Sequence, residues 1–143
     1  MKISTKGRYA LRMLLDLAEH QNDGYIALKD IAARQNISVS YLEQIMALLK
    51  KAKIVTSSRG ACGGYRLARP SGEISVGEVL RVLEGGLEAA VCPGNESENS
   101  CQGQELCVAR YVWKRINDSI TEAVDTMMLS ELLEESRRIK KDL

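Results

Sequence analysis

The sequence predicts a mainly α fold with one small β-hairpin wing, a winged helix-turn-helix followed by a long helix, in a chain of 143 residues. Three features predict it. Apolar residues recur at helical spacing through three successive segments before a β-branched run and a glycine-rich turn interrupt them. Charge is divided, with 12 Lys and Arg against 5 Asp and Glu up to Pro70, a net +7, and 8 against 14 from Ser71 onward, a net −6. A second amphipathic stretch beyond residue 100 keeps one apolar face for some twenty residues.

The first helix is expected from Lys6 to Gln21, where Leu11, Leu14, Leu15 and Ala18 share a face, and Asn22, Asp23 and Gly24 stop it. A short second helix fits LKDIAARQ, with Leu28, Ile31 and Ala32 on one side and Asn36 as the break. In the third, Leu42, Ile45, Met46 and Leu49 form an i, i+3, i+4, i+7 stripe, and Lys50, Lys51 and Lys53 suit a helix carboxyl end. Two helices joined by a tight turn after a longer helix outline a helix-turn-helix. IVTS, RGACGG and YRL then read as a two-stranded hairpin with a basic, flexible tip, which completes the winged order. Ser75 and Glu78 form an S-x-x-E capping box for a fourth helix that Gly85 and Gly86 close.

From Glu105 to about Met128, Leu106, Ala109, Val112, Trp113, Ile116, Ile120 and Val124 recur near every 3.5 residues. Such a helix, following a winged domain that is already complete, is expected to cover its counterpart in a second subunit. Residues 1–88 are therefore read as a DNA-binding domain and 89–143 as a cysteine loop with a dimerisation helix. The tail LSELLEESRRIKKDL looks helical and receives no chemistry.

Composition narrows the function. Hydrophobic residues at 45% and charged residues at 27% argue against wholesale disorder, and aromatics at only 4%, with no Phe, suit helices better than a β-sandwich. No apolar run approaches the ~20 residues of a bilayer crossing, so a cytoplasmic protein without a membrane partner is expected. There, clustered cysteines bind metal or do redox work rather than form structural disulfides. A basic half is the footprint of a polyanion. Double-stranded DNA is the expected partner, read by a homodimer on a pseudo-palindromic operator, with no enzymatic activity.

The amino-terminal turn of the third helix is the part expected in the major groove, which makes Ser38, Ser40, Tyr41, Glu43 and Gln44 candidates for DNA contact. Gln44 can read adenine, and Ser40 can bond phosphate or base. Glu43 has two compatible readings: with Ser40 it forms a capping box, and toward DNA it can only repel phosphate or accept from cytosine. Arg59 and Gly60 have the composition of a wing tip that enters the minor groove. Lys2, Lys6, Arg8, Lys29 and Arg66 suit phosphates.

Cys92, Cys101 and Cys107 follow C-x8-C-x5-C, with Pro93, Gly94 and Gly103 between them. The paired C-x2-C knuckles usual for zinc are missing, whereas iron–sulfur clusters accept wider thiolate spacings. Cys62, between Ala61 and Gly63, reads as a small turn residue at the wing tip.

MKISTKGRYALRMLLDLA, SVSYLEQIMALLKKAKIVTSSRGACGGYRLA, ISVGEVLRVLEG and the three-cysteine loop together resemble the bacterial winged-helix regulators that include IscR, NsrR, RirA and CymR, over about the first 130 residues. The resemblance to the IscR-like members implies a dimer carrying one 2Fe-2S cluster per subunit on three cysteines and a histidine. It also implies that cluster occupancy selects DNA sites and represses cluster-assembly genes. The cysteines map onto Cys92, Cys101 and Cys107, but Arg110 stands where the histidine is expected. Arginine offers no lone pair. The only histidine, His20, is expected on the surface at the end of the first helix, which leaves Glu105, Glu98, Cys62, a second subunit, solvent or a small thiol as the fourth ligand.

The NsrR-like pattern implies a nitric-oxide-sensitive 4Fe-4S cluster with an amino-terminal Asp, and Arg8 here speaks against it. CymR-like members resemble the first 85 residues and lack the three cysteines. In the IscR resemblance Glu43 discriminates between classes of DNA site. A zinc-stabilised or thiol-redox module without a DNA role is the bland alternative, and the basic half argues against it.

Overall fold

The computed structural model describes residues 2–90 and 106–143. Three helices come first: α1 (Thr5–Glu19), α2 (Leu28–Gln35) and α3 (Val39–Lys51). A hairpin of β1 (Val55–Ser58) and β2 (Gly64–Leu67) follows, then α4 (Val76–Glu84), α5 (Val108–Thr126) and α6 (Leu129–Lys141). This is the winged helix-turn-helix with long carboxyl-terminal helices that the periodicity predicts. α1 ends two residues earlier than expected, because the chain tightens into a 3-10 turn over Gln21–Asp23 before Gly24 reverses it at φ 78°.

The caps are local and mostly serine. Ser4 accepts from the Gly7 amide, Ser38 from Tyr41 and Ser75 from Glu78. The box at Ser75 is half made: the Glu78 carboxylate turns away to pair with Arg69. At the other end of α4, Glu84 Oε1 accepts from the Ser4 amide at 2.9 Å and the Ser4 hydroxyl at 2.5 Å, tying α4 to the start of α1.

The hairpin is antiparallel, with Val55 opposite Leu67 and Ser58 opposite Gly64. It gains a third partner in Ile26, whose backbone exchanges two 2.8 Å hydrogen bonds with Tyr65. Gly64 lets these chains close: a Cβ there would lie 2.2 Å from the Ile26 carbonyl oxygen. The core gathers Met13, Leu14 and Leu17 of α1, Ile31 of α2, Leu42, Ile45, Met46 and Leu49 of α3, and Ile54, Ile74 and Val79.

The last helix belongs to that core. Leu129 is fully buried in it, and Leu133 is buried as well. The α5–α6 junction is stitched to the strand-like segment before α4, with Val76 N–H donating to Met127 O at 2.8 Å and Leu129 N–H to Ile74 O at 2.9 Å. Glu19 of α1 accepts from Ser136 at 3.0 Å and Lys140 at 2.7 Å, fastening the far end of α6. The tail is helical as expected, and through Leu129 it packs into the core formed by the first three helices.

α5 is also less free than its sequence suggests. Its distal half, through Ile120 and Val124, packs on a second small core of Val76, Leu80 and Leu87. Gly77 permits that approach, since a Cβ there would come 3.0 Å from Val124 Cγ2. Leu106, just before α5, and the proximal half of the helix, from Val108 to Ile116, keep their large apolar residues exposed.

Candidate nucleic-acid interface and cysteine loop

α3 divides cleanly. Leu42, Ile45, Met46 and Leu49 are buried, while Ser38, Val39, Ser40, Glu43, Gln44, Ala47 and Leu48 are exposed and Tyr41 is half-buried between the two faces. The structure therefore brings the expected contact residues to one accessible helix edge. It corrects one of them: the cap is Ser38, in extended backbone at φ −65° and ψ 141°, so Ser40 already lies inside the first turn. Ser40 and Glu43 form no capping box, and both side chains are left to face outward.

What holds this edge in place is a ladder on α1 that sequence reading passed over. Asp16 is only 3% exposed. Its carboxylate accepts from Arg34 Nη2 at 2.6 Å, Arg34 Nε at 2.9 Å and Gln35 Nε2 at 3.0 Å. Burial pushes this carboxyl upward, but the bonds from Arg34 and Gln35, with the charges of Arg34 and His20, outweigh it and hold the group below the usual carboxylate range. One turn earlier, Arg12 donates to the Gln35 carbonyl at 2.6 Å and stacks over the Tyr9 ring at 5.3 Å. Tyr9 meets Tyr41 edge-on with ring centroids 5.7 Å apart. Tyr9, Arg12 and Asp16 thus run along one face of α1 and fix the end of α2 and the start of α3. Their spacing of three and four residues was the available signal, since it sets Asp16 among apolar neighbours. His20 is half-buried rather than on the open surface, with Nδ1 2.8 Å from the Asp16 carbonyl oxygen.

The wing tip is exposed at Arg59, Gly60, Ala61 and Cys62, and Gly60 takes φ 106°. Lys2, Arg8 and Lys29 are exposed and Lys6 is half-buried, with Arg8 donating to the Thr5 hydroxyl at 3.2 Å. Arg66 is committed differently, stacking 4.6 Å over the Tyr25 ring beside the hairpin.

Of the expected metal ligands, Cys92, Cys101, Glu98 and Glu105 lie outside the described residues. Cys107 is an exposed free thiol at the position that opens α5, where its side chain makes no capping bond. Its soft donor suits an iron–sulfur centre. Cys62 is likewise free and exposed, but on the wing. Among the described residues, no three His, Cys, Asp or Glu side chains gather as a metal site. The approach to the loop is anchored: Asn117 of α5 accepts from the Ala89 amide at 2.7 Å and donates to the Ala90 carbonyl at 3.2 Å.

The family model described as an iron-dependent transcriptional regulator, Rrf2, matches residues 3–135. The chain belongs to the Rrf2 family. Relatives named HTH-type transcriptional regulator IscR are 41% identical over 133 residues in Pectobacterium atrosepticum, covering 93% of this chain and 79% of the relative. The same-named protein of Aliivibrio salmonicida is also 41% identical, over 93% of this chain and 77% of its own. Among solved structures, T. potens IscR superposes with TM-score 0.75 at 40% identity, over 95% of this chain and 88% of that one. CymR of B. subtilis, called the global cysteine regulator, gives 0.76 at 38% identity, over 94% and 98%. The likeness to CymR thus runs well beyond the first 85 residues. This Rrf2 member is an HTH-type, DNA-binding transcriptional regulator, from a family of regulators rather than enzymes. Among its described residues no helix is long and apolar enough to cross a membrane.

Proposed function

We propose that this Rrf2 protein is an iron–sulfur-cluster-sensing repressor of cluster-biogenesis genes, acting as a homodimer on a pseudo-palindromic operator. The observation that carries the reading is the three-cysteine segment between α4 and α5, in a chain about 40% identical to regulators named IscR. Cys92, Cys101 and Cys107 would hold the cluster, a 2Fe-2S centre in preference to 4Fe-4S. Bound there, the cluster would supply iron–sulfide bonds whose loss and repair follow cellular supply. The chain's own part is to anchor the loop through Asn117 and to join it, through α5 and α4, to the start of α1.

Exposure supports the homodimer. Leu106, Val108 and Tyr111 are 88%, 80% and 64% exposed, beside Val112, Trp113 and Ile116. Tyr111, Val112, Ile116, Ile120 and Ala123 line an apolar groove of about 560 Å³ on α5. A contiguous apolar face of this kind is what an isologous helix pair covers.

On DNA, α3 would present Ser38, Ser40, Tyr41, Glu43 and Gln44 to the major groove, and the wing would present Arg59 and Gly60 to the minor groove. Lys2, Lys6 and Arg8 would hold phosphates. Glu43, freed from capping, would discriminate between site classes by repulsion. Regulation requires that apo and holo forms differ in DNA affinity.

Anaerobic purification followed by iron, sulfide and zinc analysis tests the cofactor, with iron and sulfide expected in equal amounts. Cys92→Ala, Cys101→Ala and Cys107→Ala should each abolish the cluster absorption and leave a folded dimer by sedimentation. Zinc in place of iron, or equal affinity of apo and holo protein for every operator tried, would sink the sensing role. Arg59→Ala should weaken operator binding and lower the slope of log affinity against log salt by about one unit. An unchanged slope would remove Arg59 from the phosphate-rich groove.

A further inference from the structure

Between α1 and the turn into α3 lies an open cleft of about 410 Å³, lined by Thr5, Tyr9, Asn36, Ile37, Ser38 and Tyr41. Its lining includes the Tyr9–Tyr41 edge contact, the hydroxyls of Thr5 and Ser38 and the amide of Asn36. Both rings are half-buried, and neither phenol oxygen has a hydrogen-bond partner among the described residues. The cleft includes Ser38 and Tyr41 from the exposed edge of α3 and, on α1, Thr5, whose hydroxyl accepts from Arg8 at 3.2 Å.

We infer that this cleft seats a single backbone phosphate of the bound duplex, with the Tyr9 hydroxyl as a donor to it. The occupant follows from chemistry and continuity. The lining offers neutral donors and Arg8 reaches it through Thr5, which suits a phosphodiester oxygen rather than a base edge. The first turn of α3 opens onto the site through Ser38 and Tyr41, adding backbone partial positive charge. Tyr9 belongs to α1, so the contact registers the whole ladder, and with it α3, against the DNA backbone. Its rigid ring, wedged against Tyr41 and beneath Arg12, keeps the phenol where it is without ordering on binding.

The inference rests on the family's DNA binding and not on which bases α3 reads, so its readout is sequence-independent. Tyr9→Phe keeps the ring contact and removes only the hydroxyl. In the full chain it should weaken binding about 5- to 20-fold on an operator duplex and on a scrambled duplex alike. The slope of log affinity against log salt should stay at the wild-type value, because a neutral donor releases no counterion.

The decisive comparison replaces operator phosphates one at a time by methylphosphonate. One position per half-site should penalise the wild type several-fold and leave Tyr9→Phe indifferent. Equal methylphosphonate penalties in both proteins at every position would overturn the inference. So would a loss confined to the operator sequence, or binding by Tyr9→Phe equal to the wild type on both duplexes. Coincident thermal melts of the two proteins secure that the difference is read at the cleft.

Discussion

Asp16→Ala should lower the stability of the chain by about 3 kcal/mol, the low end of the range for breaking a buried ion pair. Asp16 is buried and Arg34 is not wholly so, its side chain keeping 37% of its exposure. The stranded guanidinium can therefore reach water, which limits the loss. The Gln35 amide loses its acceptor as well. For a chain of this size the melting temperature should fall by roughly 10 °C, read at fixed protein concentration. Asp16→Asn keeps the volume and neutral hydrogen bonds, so its loss should be smaller, about half.

Acid should distinguish the two. The folded carboxyl of Asp16 titrates below its unfolded value, because the Arg34 and Gln35 bonds and nearby positive charge outweigh the upward push of burial. A depressed folded pKa contributes stability that is complete above the unfolded value near ~3.9 and is lost as pH falls through the folded one. The gap between wild type and Asp16→Asn should therefore be constant at neutral pH and shrink once pH drops below about 4. A gap independent of pH would mean that the charge of Asp16 contributes nothing and that packing alone holds α1 to α2.

The same ladder explains why the sequence was informative about some elements and silent about others. The α3 stripe of Leu42, Ile45, Met46 and Leu49 was legible because helical period is a local property, and all four are buried. The Ser75 cap was legible because its partner amide lies three residues on. Local pattern reads Ser40 as the cap of α3, whereas the structure uses Ser38. Burial of Leu42 and the seat of Tyr41 on Tyr9 set the register, and both contacts are tertiary. The role of Asp16 is not legible from α1 alone, because Arg34 and Gln35, which satisfy it, arrive from α2.

Leu129→Ala should cost about 3–4 kcal/mol, the usual range for emptying a fully buried leucine site. Leu129 has no exposed surface and sits in the main core with Ile74 and Val79, although α4 ends at Glu84 and its own helix begins only at Leu129. Its surroundings are poorly placed to collapse around the void. The backbone is pinned on both sides by the Val76–Met127 and Leu129–Ile74 hydrogen bonds, which hold the junction at its present distance. A substitution of the same kind at Ile139, which is 56% exposed on the same helix, should change stability by less than about 0.5 kcal/mol. Chemical unfolding of the pair at one protein concentration makes the comparison, and equal midpoints would mean that α6 is dispensable to the core. The expected large difference also predicts how a fragment ending at residue 88 behaves. Without Leu129 and Leu133 it would expose the apolar surface around Ile74, and it should melt below the full chain by more than the single substitution does. α6 thus gives α5 a second connection to α1 beside the one through α4, since Glu19, Ser136 and Lys140 close the same circuit from the other end.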